Sequence, residues 1–315
     1  MTRKRLFTSD TLDAVAYIVL LLAVASWVAI LCVKQLTYGL EFDESYLLGV
    51  ANNLASGSGY VDDGVTFLST SEPFSPVIST GPTVLIPVSL TWWIFDGDLL
   101  AIRFTMLIFF GILLFSVWRL FGNLSGRWAS LAAVGGLALV PTVAPDLQNT
   151  SLMPGRVVGE LPALALLLLA GLLLSKHRYF WSGLCLGLML LSKLTFAIPA
   201  AALIATFFVF ELLNRHISPW QFLLRNFCGV AAPLIAFELI KTVTLGPDGY
   251  VRHIDALRDF LGNQDIPWHQ LYIFFDEHLE GTLRLFSAPL LTVIVVMIAL
   301  TWRWTRLRMG FSQNR

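Results

Sequence analysis

Three carboxylates, those of Glu41, Asp43 and Glu44, lie within four residues of one another directly after a long apolar run. A carboxylate beside a substrate can take up a proton, which is the role of a general base. The apolar run follows a basic N-terminus and is expected to be a retained first membrane span. Acids gathered at the far mouth of that span indicate chemistry at a membrane surface, although a solvated loop edge would also hold acids.

A fourth acid, Glu160, lies near the start of another apolar run, 157–174. An acid in a membrane span is unfavourable by about 2.5–3.5 kcal/mol at the helix centre and by less near its end. Such residues usually face a cavity of the helix bundle and mark function. The alternative is an acid at a helix N-terminus that the helix dipole stabilises.

Three cations accompany these acids. Lys193 lies inside an apolar helix, where it either reaches a cavity or snorkels to the membrane surface. Arg103 lies near the outer end of a predicted span, and Arg156 lies in a predicted outer loop. Because Arg and Lys bind phosphate well, an outer pocket of these acids and bases suits a reaction with a general base and a phosphate leaving group.

The composition indicates a membrane protein. Of the 315 residues, 56% are hydrophobic and 13% are charged, and the mean hydropathy is +0.72. No soluble domain of this length needs so much apolar surface. The 21 basic and 21 acidic residues cancel, so the net charge points to no partner, and no nucleic-acid partner is expected.

Eight membrane-spanning helices are predicted from apolar runs of about 20 residues, the length that crosses the hydrocarbon core. One run, from Phe180 to Leu213, is too long for a single crossing and contains Pro199, so it is divided into two spans. The predicted spans lie near 14–34, 99–118, 128–145, 157–174, 181–197, 198–213, 226–245 and 283–302.

The distribution of charge gives a predicted orientation. With eight spans, most basic residues fall in short segments on one side, and the long segments opposite are acidic. The positive-inside rule then places both termini in the cytoplasm and the acidic segments outside. The candidate active site is then expected at the outer face of the membrane.

The first outer loop, about 35–98, is predicted to hold two interfacial helices around the acidic cluster, near 44–55 and 84–95. The fold class is thus an all-α polytopic membrane protein, with about eight transmembrane helices and two interfacial helices. A single domain over residues 1–315 is expected.

The last outer loop, about 246–282, supplies Arg252, His253 and Arg258 beside aromatic side chains. Aromatic faces next to cations suit contacts with sugars and with lipid phosphates. An ordinary polar loop is the alternative.

The stretch from Glu41 to Tyr60, with its Asp-Glu pair, helix and Gly-Ser-Gly-Tyr exit, resembles the first outer loop of membrane glycosyltransferases of the C superfold. It is similar to the bacterial group that resembles protein mannosyltransferases and the aminoarabinose and galacturonosyl transferases that modify lipid A. This resemblance implies a bacterial inner (plasma) membrane as the location. Further motifs follow in the order of that family, and the resemblance covers roughly residues 10–200. They are Ser79-Thr80-Gly81-Pro82, Phe95-Asp96-Gly97-Asp98 with Arg103, Arg156 with Glu160, and Gly187 to Lys193.

The resemblance implies a glycosyltransferase that takes a sugar from a polyprenyl-phosphate donor presented in the outer leaflet. Asp43 would be the general base that removes a proton from the acceptor, which is a lipid, a glycan or a protein. Attack would invert the anomeric carbon, and polyprenyl phosphate would leave. The expected substrate-binding residues are Arg103, Arg156, Glu160, Lys193, Arg252, His253 and Arg258.

Glu44 is expected to be catalytic beside Asp43, by raising its proton affinity or by binding the acceptor, whereas Glu41 is expected to be peripheral. Some relatives use a divalent metal ion and some do not, and Asp43, Glu44 and Glu160 are the candidates to hold one. Family members usually carry more spans than this chain. A minimal form, a truncated form and a form that needs a partner subunit beside membrane lipids therefore all stay open.

Two other functions stay open. A transporter or flippase for a lipid-linked sugar would carry ionisable residues through the depth of the membrane, often with repeats in its two halves. The sequence shows no clear repeat, and its ionisable residues gather on one side, except for Glu238 and Lys241, whose spacing predicts a local ion pair. A non-catalytic membrane subunit would use the spans only to support a partner.

Overall fold

Helices make up almost all of the chain that is described. The computed structural model describes residues 9–62, 73–75, 78–143, 153–214 and 218–262. The all-α prediction is confirmed for this part of the chain. Its helices are α1 (Ser9–Leu36), α2 (Phe42–Ala55), α3 (Pro82–Ile94), α4 (Leu99–Ser125), α5 (Arg127–Val143), α6 (Glu160–Leu174), α7 (Tyr179–Leu190), a short 3₁₀ turn (Leu194–Phe196), α8 (Ala197–Asn214) and α9 (Pro219–Gly262).

Several helices have the length and composition of membrane spans, which identifies an integral membrane protein. Within the described ranges four helical stretches are long and apolar enough to cross a membrane, and α3, α5, α6 and α7 are shorter apolar helices. The total of eight spans stays a prediction, and the predicted span at 283–302 lies outside the described residues. The four long stretches are Thr11–Leu36, Leu99–Ser125, Leu194–Leu213 and Pro219–Asp259.

The long apolar run after Phe180 is divided between α7 and α8, but not where Pro199 suggested. Helix α7 ends at Leu190, and Lys193 has the extended backbone angles φ −154° and ψ 112°. Pro199 instead lies in the first turn of α8, where a backbone N–H would have no helical partner, so proline is tolerated there. The true break therefore places Lys193 between two helices.

Helix α9 turns sharply at Gly246, whose φ of 67° and ψ of 171° are not helical. Pro247 follows at the turn, and the hydroxyl of Tyr250 reaches back to donate to Oε2 of Glu238 at 2.9 Å. The predicted outer loop, about 246–282, is helical as far as residue 262, and its place outside the membrane stays a prediction. The predicted ion pair is confirmed, since Lys241 Nζ lies 2.8 Å from Glu238 Oε1.

The core is built around α4 and α6. Helix α6 packs against both α4 and α7, and α4 also packs against α5. The two helices predicted as interfacial do form, as α2 and α3, and they pack against each other and against the start of α4. Their placement at a membrane surface stays a prediction. The buried side chains at this junction include Leu47, Val50, Val84, Leu85, Val88, Ile102 and Met106.

The chain forms two compact units, Met1–Leu257 and Arg258–Arg315. Every candidate site residue except Arg258 belongs to the first unit. Of the second unit only residues 258–262 are described, so a single domain over the whole chain stays a prediction.

Candidate functional site

A small cavity of about 60 Å³ lies at one end of the first unit, where three helices begin and where α7 gives way to α8. The starts of α2, α3 and α6 each bring backbone N–H groups without helical partners, which favour negative charge nearby. The cavity is lined by Glu41, Asp43, Glu44, Ser79, Thr80, Arg156, Val158, Glu160 and Lys193.

Close backbone contacts hold these segments together. The Gly81 N–H donates to the carbonyl of Ser192 at 3.0 Å, and the Ser192 hydroxyl donates to the carbonyl of Gly159 at 2.8 Å. A Cβ on Gly81 would lie 1.9 Å from the Leu191 carbonyl oxygen, and a Cβ on Gly159 would lie 2.5 Å from that of Ser192. Glycine is therefore required at both positions, because only it allows three chain segments to meet so closely.

Arg103 and Glu44 form a buried ion pair beside the cavity, which Glu44 lines, and each has about 1% of its surface exposed. Nε of Arg103 donates to Oε1 of Glu44 at 3.0 Å, and Nη2 donates to Oε2 at 2.7 Å. The other N–H groups of Arg103 bind the chain that leaves α1. Their acceptors are the carbonyl oxygens of Gln35, Leu36, Tyr38 and Gly39.

This network engages every N–H donor direction of Arg103 and both carboxylate oxygens of Glu44. Because its N–H groups already have acceptors within the protein, the Arg103 guanidinium has no free donor for a phosphate. The geometry instead makes the two side chains a clamp between α4, the start of α2 and the end of α1. The clamp fixes the backbone on either side of Asp43, which precedes Glu44 directly.

Arg156 and Glu41 form a second, bidentate pair on the cavity wall. Nη1 of Arg156 lies 2.5 Å from Oε2 of Glu41, and Nη2 lies 2.5 Å from Oε1. The guanidinium also lies 5.9 Å from the centre of the Tyr38 ring, within the range of a cation–π contact. Glu41, expected to be peripheral, is therefore a wall residue with a specific partner.

Glu160 and Lys193 form the third pair. Nζ of Lys193 lies 2.9 Å from Oε1 of Glu160, with 18% and 25% of the two side chains exposed. Glu160 lines the cavity and is also the first residue of α6. Both alternatives considered for it from the sequence, a cavity residue and an acid at a helix N-terminus, therefore hold. Lys193 reaches it because the chain is extended between α7 and the 3₁₀ turn.

Asp43 differs from the other acids of the cavity. It lies in the first turn of α2 and is exposed, and within the described ranges its carboxylate makes no hydrogen bond or ion pair. The structure thus brings together Asp43, Glu160, Arg156 and Lys193, as the sequence predicted. It places Glu44 and Arg103 beside them as a buried support.

Two hydroxyl residues of the wall, Ser79 and Thr80, were not singled out as site residues. They belong to the Ser-Thr-Gly-Pro motif that begins α3, and that motif was the available signal. The Tyr60 hydroxyl donates to the Thr80 carbonyl at 3.0 Å. Burial and then the nearby Tyr46 raise the pKa of Tyr60 above its ordinary value, so its hydroxyl keeps the proton that it donates.

The residues predicted from the last loop lie elsewhere. His253 is mostly buried, and its ring faces those of Phe74 and Tyr250 at centroid distances of 6.4 Å. Arg252 is exposed on α9 and does not line the cavity, and Arg258 is exposed at the start of the second unit. Roles for these three residues in substrate binding stay predictions.

The candidate metal ligands do not come together as a ligand set. Across the described residues no group of three His, Cys, Asp or Glu side chains could hold a metal ion. Both oxygens of Glu44 are engaged by Arg103, and Glu160 is paired with Lys193. No step of the chemistry is therefore assigned to a metal.

Of three comparisons with known proteins, one found a match. A search of curated proteins and a search of solved structures each found no match. The family model for dolichyl-phosphate-mannose-protein mannosyltransferase matches residues 80–237, half of the chain. The matched range contains Thr80, Arg156, Glu160 and Lys193 of the cavity wall, whereas the acids of α2 precede it. The chain therefore belongs to the dolichyl-phosphate-mannose-protein mannosyltransferase family of membrane glycosyltransferases.

Proposed function

We propose that the protein moves a sugar from a polyprenyl-phosphate donor to an acceptor hydroxyl or amine, with Asp43 as the general base. One observation carries this proposal. Of the four acids on the cavity wall, three are paired with Arg or Lys, and Asp43 alone has no partner among the described residues. Protonation of a paired carboxylate would break its ion pair, so the unpaired carboxylate is the one suited to take up a proton.

The proposed reaction is a single displacement at the anomeric carbon. The acceptor oxygen or nitrogen forms a bond to that carbon from the face opposite the phosphate, which inverts its configuration. The bond from the carbon to the phosphate oxygen breaks, and its electron pair leaves with polyprenyl phosphate. Asp43 takes the proton that the acceptor loses, a contribution of about 10²–10⁴ in rate.

Arg156 and Lys193 are proposed to bind the phosphate and to stabilise the charge that grows on it. Both lie on the same cavity wall as Asp43, and fixed cations act most strongly where charge develops in the transition state. A guanidinium also matches two phosphate oxygens in a bidentate contact. The site would face the outside of a bacterial inner membrane, the side to which the charge distribution assigns it.

Arg103 and Glu44 are proposed as positioning residues rather than as groups that touch the substrate. Their ion pair joins α4 to the start of α2, where Asp43 lies. The buried pair would hold the Asp43 backbone in place while the exposed carboxylate meets the acceptor.

The proposal is tested by the variant Asp43→Asn. Mass spectrometry of the lipids that copurify first identifies the sugar on the donor, and transfer from that donor is then measured in detergent. We expect the turnover number to fall by about 10²–10⁴, because an amide cannot take up the proton. The unfolding temperature should change little, because Asp43 makes no hydrogen bond or ion pair with the described residues and loses only its charge at the start of α2.

Asp96→Asn is the matched control. Asp96 is an exposed acid after α3 with a φ of 50°, a conformation that asparagine adopts readily, and it does not line the cavity. Its variant should transfer sugar at the rate of the natural protein. Undiminished transfer by Asp43→Asn would show that Asp43 is not the base.

A further inference from the structure

Both cations assigned to the phosphate are already held by acids of the protein. Arg156 has only 6% of its surface exposed, and both of its terminal nitrogens lie against the Glu41 carboxylate. Lys193 contacts Glu160 at 2.9 Å. Each cation of the cavity is thus neutralised by one internal anion before any ligand enters.

The cavity is also too small for a donor in this arrangement. Its volume of about 60 Å³ is well below the roughly 300–1,000 Å³ typical of small-molecule sites. The two ion pairs form part of its wall. A phosphate can therefore take the bidentate position on Arg156 only if Glu41 moves away, and on Lys193 it competes with Glu160.

Carboxylate and phosphate compete for the same face of a guanidinium. Each presents two oxygens to the planar fork of an arginine, in the same bidentate geometry. Glu41 already occupies this geometry on Arg156. When a phosphate binds, the displaced carboxylate must turn to water, and when the phosphate leaves, the carboxylate can return.

The charge of the phosphate changes during the proposed reaction. A polyprenyl-phosphate sugar is a phosphodiester with one negative charge, whereas the departing polyprenyl phosphate is a monoester that carries about −1.5 to −2 at pH 7. Two cations therefore attract the product more strongly than the donor. Without a competing anion, the site would retain its product.

We propose that Glu41 and Glu160 are internal anions that compete with phosphate for Arg156 and Lys193 and so drive release of polyprenyl phosphate after transfer. This inference rests on the proposed function and adds a release step to the same site. Glu41 and Glu160 then act through the cations and take no part in the proton transfer. They limit how tightly the product binds, and they restore the paired state seen in the structure.

The test is the affinity of the protein for farnesyl phosphate, a short polyprenyl monophosphate, measured by calorimetry in detergent. Glu41→Gln and Glu160→Gln keep the size of each side chain but remove its charge, so each should tighten binding about fivefold to tenfold. In sugar transfer the same variants should become more sensitive to inhibition by farnesyl phosphate. A first turnover at the natural rate followed by slow further turnovers would show delayed release.

Glu238→Gln is the matched control, because it removes the acid of the Lys241 pair, which has a similar distance of 2.8 Å but does not line the cavity. Its affinity for farnesyl phosphate should equal that of the natural protein. Each variant is first checked for a natural unfolding temperature. If one of the two acid variants does not fold, the other decides the outcome.

Lys193→Gln separates this inference from the proposed function. If it weakens farnesyl phosphate binding at least tenfold while neither acid variant tightens it, the release role is wrong and the phosphate site stands. If Lys193→Gln binds farnesyl phosphate as the natural protein does, the phosphate assignment itself fails. Weaker binding by either folded acid variant would also overturn the release role, since it would show that the acid holds its cation in place for the phosphate and does not compete with it.

Discussion

Two kinds of ion pair lie at the same end of this protein and differ in their contact with water. Arg103 and Glu44 are each about 1% exposed, and all their polar groups are used within the protein. Lys193 and Glu160 keep 18% and 25% of their side chains exposed and share a single contact. In the first pair only Glu44 lines the cavity, whereas both members of the second pair line it.

This difference in exposure suits the pairs to different roles, one as a structural support and the other as a pair that a ligand can replace. A buried charge that loses its partner is strongly unfavourable, so the Arg103 pair cannot open during a reaction. A pair with a partly exposed member opens at lower cost, because water can compensate the separated charges. The pairs of Glu160 with Lys193 and of Glu41 with Arg156 are of this kind and can be replaced by a ligand in each turnover. We therefore expect changes to the buried pair to affect folding, and changes to the wall to affect activity.

The largest effect is expected from Arg103→Met, which leaves the Glu44 carboxylate buried without its partner. Removing one member of a buried pair costs about 3–5 kcal/mol, a large part of the stability of a protein domain. The yield of monodisperse protein and its unfolding temperature in detergent measure this loss. Lys193→Met should lower the unfolding temperature only slightly, and equal losses in the two variants would refute the distinction between the pairs.

The double variant Arg103→Met with Glu44→Leu sharpens the same comparison. It removes the isolated charge as well as its partner, and such apolar replacements often recover much of the stability. Recovery would show that the clamp acts through burial of charge. Sugar transfer by the recovered protein would then report how far the clamp positions Asp43.

The second largest loss of stability is expected from Gly81→Ala. The added Cβ would lie 1.9 Å from the Leu191 carbonyl oxygen, so the start of α3 must move away from the chain that carries Lys193. Overpacking of this kind costs about 1–3 kcal/mol, and the displaced wall should lower sugar transfer as well. Both the unfolding temperature and the turnover number measure it.

Gly111→Ala is the control for that variant. Gly111 lies within α4 with no atom within 4 Å of an added Cβ, so alanine should stabilise the helix by about 0.5–1 kcal/mol. If Gly81→Ala behaved like Gly111→Ala, the close contact between α3 and the Lys193 segment would not position the site.

The smallest effect is expected from Asp98→Ala at the start of α4. Oδ1 of Asp98 accepts a hydrogen bond from the Leu100 N–H at 2.8 Å, and loss of such a cap costs about 1 kcal/mol. Asp98→Asn should be nearly neutral, since asparagine caps equally well. Thermal unfolding measures both, and sugar transfer should be unchanged, because Asp98 does not line the cavity.

Much of the helical plan could be predicted from apolar runs, because a membrane helix needs a long stretch of apolar residues whatever packs against it. The runs near 14–34 and 99–118 correspond to α1 and α4. Helix boundaries inside long apolar stretches were less accurate. The break after Leu190 and the turn at Gly246 arise from packing between helices, which hydropathy does not report.

The sequence predicted which residues gather at the site but not which of them form ion pairs with one another. The charge distribution predicted that Asp43, Arg156, Glu160 and Lys193 gather on one side of the membrane, and in the structure all four line one cavity. Nothing in the sequence indicated that the Glu44 carboxylate is buried and that of Asp43 exposed. That difference depends on where Arg103 lies, 59 residues along the chain.

The sequence by itself determined a helical membrane protein and the residue types of its site, because hydropathy and charge are properties of the side chains alone. Only the tertiary structure decided which acid pairs with which base. An ion pair depends on distance and burial, and these arise where α2, α3, α4, α6 and the Lys193 segment meet. Folding thus gives four similar carboxylates different roles: one is a buried support, two pair with the cations, and one has no partner among the described residues.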